Sequence, residues 1–144
     1  MKKYVLAALT CLAGVALAGS AFAATANLDV SATVSATCAI QGGTLDFGSL
    51  DPTTAPLVNA TSTGVTVTCT NNTAYTITDS LTSHAGQLSD GSGHNIPYSI
   101  SYTGSGTGDG TAHAVDITGT IAASTYNTMP AGSYSDTVTL TALP

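Results

Sequence analysis

Residues 24–37 read ATANLDVSATVSAT, and their parity decides the fold. The even positions are Ala24, Ala26, Leu28, Val30, Ala32, Val34 and Ala36; the odd positions are Thr25, Asn27, Asp29, Ser31, Thr33, Ser35 and Thr37. Side chains of a strand point to opposite faces in turn, so every apolar group falls on one face and every polar group on the other. The segment is a strand with one face made for burial. Two readings follow: the first strand of its own sheet, or a strand laid into a groove elsewhere.

Ahead of this segment, Lys2 and Lys3 precede an apolar run from Tyr4 to Leu17, followed by Ala21-Phe22-Ala23. Charged, apolar and small-x-small in that order is a secretory signal peptide cleaved after Ala23. A retained membrane anchor is the alternative, but no flanking charge follows the run to stop transfer. The expected organisation is a leader over 1–23, an N-terminal strand segment over 24–37 and one domain over 38–144.

Cleavage would leave 121 of the 144 residues, with no Lys, Arg, Glu or Trp. Eight Asp with no cation give the mature chain a formal charge of −8. Nucleic-acid binding neutralises phosphates with Lys and Arg, so that class is excluded, and attraction to anionic lipid headgroups fails likewise. No membrane insertion of the mature chain is expected. Cys11 leaves with the leader, so Cys38 and Cys69 are the one possible pair. In an oxidising compartment they should form a disulfide contributing roughly 3.5 kcal/mol by loop entropy; two free thiols or half a metal site is the alternative.

Past Cys38 the pattern is short strands broken by turn chemistry. Leu45 and Phe47 mark a strand over Thr44–Leu50 that ends at Asp51-Pro52, and Val65, Val67 and Cys69 alternate with threonines up to Asn71-Asn72. Tyr75 and Ile77 follow over 74–78. Ile96, Tyr98, Ile100 and Tyr102 share a face, with Pro97 arguing for an edge or a strand start. Val115, Ile117 and Ile121 mark another strand, and Tyr134, Val138, Leu140 and Ala142 the last. The Gly-rich Thr103–Gly110 stretch reads as a hairpin loop, since it lacks phosphate-loop spacing and no helix follows it. Nothing holds a helical period for three turns, so the fold class is an all-β sandwich.

Catalytic and metal chemistry find little support. His84, His94 and His113 have no ligand-type partner at i+2 or i+4. Asp90–Asn95 lacks the spaced carboxylates and closing Glu of a calcium loop and reads as a polar turn. No nucleophile elbow stands out among the abundant Ser and Thr, and no pair of Asp is marked for glycoside hydrolysis. The chain is expected not to be an enzyme and to need no cofactor. Sugar binding through Tyr75, Tyr98, Tyr102, Tyr126 or Tyr134 stays open without a motif to support it.

Four features together resemble the spore coat protein U domain family, the pilin-like domain of archaic chaperone–usher pili. They are the alternating strand ending at Cys38; Leu45-Asp46-Phe47-Gly48 followed by Asp51-Pro52; Cys69 after Val65 and Val67; and the closing Gly132-Ser133-Tyr134-Ser135-Asp136 with an alternating strand after it. The resemblance implies an incomplete immunoglobulin-like β-sandwich whose missing strand leaves an apolar groove. A periplasmic chaperone would fill that groove, then yield it at the outer-membrane usher to the N-terminal strand of another pilin subunit, identical or related. On that reading Ala26, Leu28, Val30, Ala32, Val34 and Ala36 form the inserted face of the donor strand. Tyr134, Val138, Leu140 and Ala142 border the acceptor groove and the chaperone edge. Two departures stand out: Pro144, which has no backbone N–H to donate, closes the chain, and Asp136 shares the parity of Tyr134 and Val138. The implied function is a structural subunit of a surface pilus supporting adhesion and biofilm formation, exported through the periplasm. It would be a shaft or minor subunit, since 121 residues leave no room for a receptor-binding domain. The alternative is a secreted spore-coat or matrix protein of the same fold that uses no usher.

Overall fold

A computed structural model describes residues 23–144, so the leader read over 1–23 lies, Ala23 apart, outside the described residues. By compactness the chain divides between Ala32 and Thr33. In the first unit the described residues 23–32 form no strand and are exposed. The second unit is all-β. No described residue is helical, and ten strands form three antiparallel sheets.

The strands are β1 (Cys38–Gln41), β2 (Val58–Thr61), β3 (Thr66–Cys69), β4 (Ala74–Asp79), β5 (Ala85–Ser89), β6 (Asn95–Ser101), β7 (Ser105–Thr107), β8 (Ala112–Ala114), β9 (Thr118–Ile121) and β10 (Leu140–Leu143). They order as β1-β3-β8, β10-β4-β7 and β2-β9-β6-β5. Alternation in the sequence becomes alternation in burial: Val67 and Cys69 of β3, and Ile96, Tyr98 and Ile100 of β6, are buried while their neighbours are not. Ile77 of β4 and Ile121 of β9 join them, so all three sheets contribute to one core. Cys38 opposes Cys69 across the β1–β3 ladder, and the two are joined in a disulfide.

Turn residues act as their chemistry dictates. Asn72, between β3 and β4, takes a positive φ of 58°, which Asn tolerates better than most side chains. Four loop aspartates accept bonds from the backbone N–H two residues on: Asp46 from Gly48, Asp51 from Thr53, Asp90 from Ser92 and Asp109 from Thr111. These local bonds explain how a chain so short of cations tolerates its carboxylates.

Four sequence expectations change. The Gly-rich stretch is not wholly a loop: Ser105–Thr107 forms β7 on β4, where Gly106 lies opposite Tyr75. A Cβ there would stand 2.5 Å from the Tyr75 hydroxyl oxygen, so glycine lets the ring cover the strand. Thr44–Leu50 is not a strand beyond one bridge, Thr44 to Thr63, because the chain turns at Gly48 (φ 67°). Val115, Ile117 and Ile121 do not share one strand; Val115 and Ile117 are buried between β8 of one sheet and β9 of another. The last strand is shorter than its alternation suggests, because the chain changes partners within it. Ser135 bridges to Ser89 of β5, and only from Leu140 does the chain pair with β4. Pro97 lies in a strand that is central in its sheet, yet β6 pairs with β9 only from Ser99 onward, so at Pro97 it has one neighbour.

Candidate functional site: a groove between two strand edges

Among the described residues, strand β1 is hydrogen-bonded only to β3, and β10 only to β4. Their free edges approach within 8 Å, Cα to Cα, without forming a ladder. Strands that flank a third keep roughly 9.5 Å between them, so at these points the two stand closer than an inserted strand would set them. Between them opens a groove of about 390 Å³ walled by Ile40, Leu45, Phe47, Ile100, Val138 and Leu140. A second cavity of about 510 Å³ shares Leu45, Phe47 and Leu88 with it and runs on to Tyr126, Met129 and Tyr134.

The walls follow from local structure. Beyond β1 the turn at Gly48 leaves Leu45 and Phe47 half-buried, and Phe47 meets Tyr98 edge-on at 5.9 Å between ring centroids. Gly119 of β9 makes room for both, since a Cβ there would lie 2.7 Å from Leu45 and Phe47 carbons. On the other side, Ser80 anchors the approach to β10: its N–H donates to the Thr139 carbonyl, and its hydroxyl accepts from the Thr139 N–H, both at 3.0 Å. Asp79 underlies that anchor with a side chain only 1 % exposed. It accepts bonds from the Tyr102 hydroxyl at 2.6 Å and the Leu81 N–H at 2.9 Å, and pairs with His84. Burial pushes the Asp79 carboxyl up, but those bonds outweigh it and hold it below its ordinary value. Tyr102 is pushed up to about 12 by burial and by this carboxylate.

The groove holds one polar feature that the sequence left unexplained. The Tyr98 hydroxyl donates to Asp136 Oδ2 at 2.8 Å, and the Thr137 N–H donates to Oδ1 at 2.7 Å. Asp136 thus keeps the inward parity of its neighbours because an inward-facing donor and its own backbone satisfy it. Burial and the carboxylate push the Tyr98 hydroxyl well above the usual phenol range.

Val138 and Leu140 line the first cavity, Tyr134 lines the second, and Ala142 is half-buried on β10 opposite Ile77. Ala26, Leu28, Val30, Ala32, Val34 and Ala36 are all exposed and lie in no strand; Leu28, Val30 and Val34 are 87 %, 86 % and 83 % exposed. Parity did not single out Ile40, Leu45, Phe47 and Ile100 as groove walls, although Phe47 is the sole Phe after residue 23. His84, His94 and His113 pair separately with Asp79, Asp90 and Asp109, and among the described residues no three potential metal ligands gather.

Fold and groove together define an all-β protein with two unpaired strand edges over an apolar cleft. The chain belongs to the spore coat protein U domain family, whose model matches residues 24–103, more than half its length. The match includes the alternating segment, both cysteines of the disulfide and the Leu45–Pro52 element; the closing Gly132–Asp136 stretch lies beyond it. No curated protein sequence matches the chain. Membership fits a structural protein of the coat or pilus type, at the cell surface or outside the cell.

Proposed function

We propose that this chain is a non-catalytic pilus subunit whose groove is completed by residues 24–36 of another subunit. On this reading a periplasmic chaperone holds the groove first, an outer-membrane usher directs the exchange, and the fibre supports adhesion and biofilm formation. The single observation that carries the reading is the pair of free edges on β1 and β10 above an apolar groove. A strand added there would join β8-β3-β1 to β10-β4-β7 as one sheet, and the whole would read as an immunoglobulin-like sandwich completed in trans. Backbone bonds would hold the strand, with Leu28, Val30 and Val34 as main plugs and Ala26, Ala32 and Ala36 at shallower sites.

Thr37, which leads from this segment into β1, is tied to Thr70 just past β3. The Thr37 N–H donates to Thr70 Oγ1 at 3.1 Å, and the Thr37 carbonyl accepts from the Thr70 N–H at 2.9 Å. A return alongside β1 would need a reversal at Ala36–Thr37, two residues being the common minimum for a hairpin turn, where Thr37 is already tied to Thr70. A donor from a second copy meets no such constraint.

The test is electrophoresis in SDS without boiling, comparing residues 24–144 with the same chain lacking 24–36. A ladder from the longer form alone supports the reading. Monomer bands from both, with unchanged circular dichroism and the chaperone co-expressed, would leave the coat or matrix alternative.

A further inference from the structure

Asp136 is the one charged side chain among the residues lining the groove, and the Tyr98 hydroxyl holds it there. We propose that the Asp136–Tyr98 pair sets the register of the incoming strand, admitting only Ala32 of the second copy opposite the carboxylate. The inference rests on the strand-addition reading above.

Each Asp136 oxygen accepts one bond, Oδ1 from the Thr137 N–H and Oδ2 from the Tyr98 hydroxyl, which leaves each with acceptor capacity that water fills while the residue is exposed. A bulky aliphatic group pressed onto this site expels the water and returns no donor, an uncompensated desolvation of charge. A methyl group is small enough to leave the site hydrated.

The donor face supplies a matching pattern. A strand with one apolar face slips only in steps of two residues, since a single step would turn its polar face to the groove. The apolar positions run Ala24, Ala26, Leu28, Val30, Ala32, Val34, Ala36. Ala32 is the one alanine with a bulky plug two residues away on both sides. Slipping either way from Ala32 therefore sets Val30 or Val34 on the carboxylate. Ala26 and Ala36 have a bulky neighbour on one side only and would leave a slip in the other direction unpunished.

Ala32→Val and Ala32→Thr separate this from simple crowding, because the two side chains have the same shape and only Thr brings a hydroxyl donor. Ala32 is exposed in the free chain, so neither change should disturb folding. In the full chain, exported with its chaperone, we expect A32T to form SDS-resistant ladders that dissociate within about threefold of the unsubstituted rate. A32V ladders should dissociate faster by on the order of tenfold or more, and adding Asp136→Ala to A32V should restore them. Equal behaviour of A32V and A32T would overturn the inference while leaving strand addition intact. Absence of any ladder from the unsubstituted chain would overturn both. Should D136A fail to fold by circular dichroism, the Val and Thr comparison decides alone.

Discussion

Replacing Cys38 and Cys69 together by serine should lower the thermal midpoint by about 15 °C and loosen one edge of the groove. The bridge closes 31 residues of chain. Loop entropy for that length is about 3.5 kcal/mol at 25 °C. Unfolding entropy near 2.1 cal/mol/K per residue over a unit of about 110 residues converts this to a shift of about 15 °C. Location adds a second effect. Cys38 begins β1, which is four residues long and held on one side only, so without the bridge its first pairing partner rests on backbone bonds alone. Calorimetry of the oxidised protein and the double serine variant measures the first effect. Amide exchange at Ala39, Ile40 and Gln41 measures the second, and these should lose protection beyond the global change. A shift under about 3 °C would refute the loop-entropy reasoning. A uniform loss of protection across all strands would refute the local one.

Other changes test the core, the groove and the titrating network. Gly86→Ala places a Cβ 2.5 Å from the Tyr98 hydroxyl oxygen, so the ring must move off Asp136; overpacking of about 1–3 kcal/mol should appear in urea denaturation. Ile121→Ala removes a fully buried side chain and should cost about 2–5 kcal/mol, whereas Leu57→Ala at a 55 % exposed position should fall within about 0.5 kcal/mol in the same assay. Because the Asp79 carboxyl is held below 3.8 in the folded chain, its contribution is complete above that pH and lost as pH falls below it. Acid unfolding curves should therefore be flatter for Asp79→Asn. Tyr102 works in the opposite direction: raised from 10.0 to about 12, its contribution is complete below pH 10 and lost between 10 and 12, so Tyr102→Phe should remove part of the alkaline loss.

Period-two patterning made the elements legible where one face meets the core along a whole strand. Ile96, Tyr98 and Ile100 are buried as their parity requires, and so are Val67 and Cys69. It failed where the chain changes sheets. Val115 and Ile117 keep the parity of Ile121, and Tyr134 that of Leu140, because the core lies on the same side of the chain before and after each crossing; hydrogen-bond partners change while the buried face does not. Strand β7 was illegible for another reason. Its residues Ser105, Gly106 and Thr107 carry no apolar signal, and what holds them is the backbone ladder to β4 with the Tyr75 ring over Gly106, pairing between residues distant in sequence. The groove was half legible: Val138 and Leu140 follow from alternation, whereas Leu45 and Phe47 reach it from an irregular turn, for which parity has no meaning.

The width of the gap bears on how such a groove would be used. With β1 and β10 within 8 Å at points where an inserted strand needs roughly 9.5 Å, an occupant would have to part the edges there. Their close approach satisfies none of the facing N–H and C=O groups, since no ladder forms between the two edges. Half-buried Phe47, Val138 and Leu140 remain at the surface. An occupant would therefore gain both the backbone bonds of two edges and the burial of these side chains, at the cost of parting the edges. That balance favours an occupant with regular backbone and small, alternating apolar groups over a compact apolar ligand, which would bury the walls yet leave both edges unpaired. Charge does not oppose it strongly: residues 24–36 carry a single acid, Asp29, on the face that would point away from the groove. With no Lys or Arg after residue 3 to form ion pairs, association through this groove would draw on backbone bonds for affinity and on side-chain size for fit.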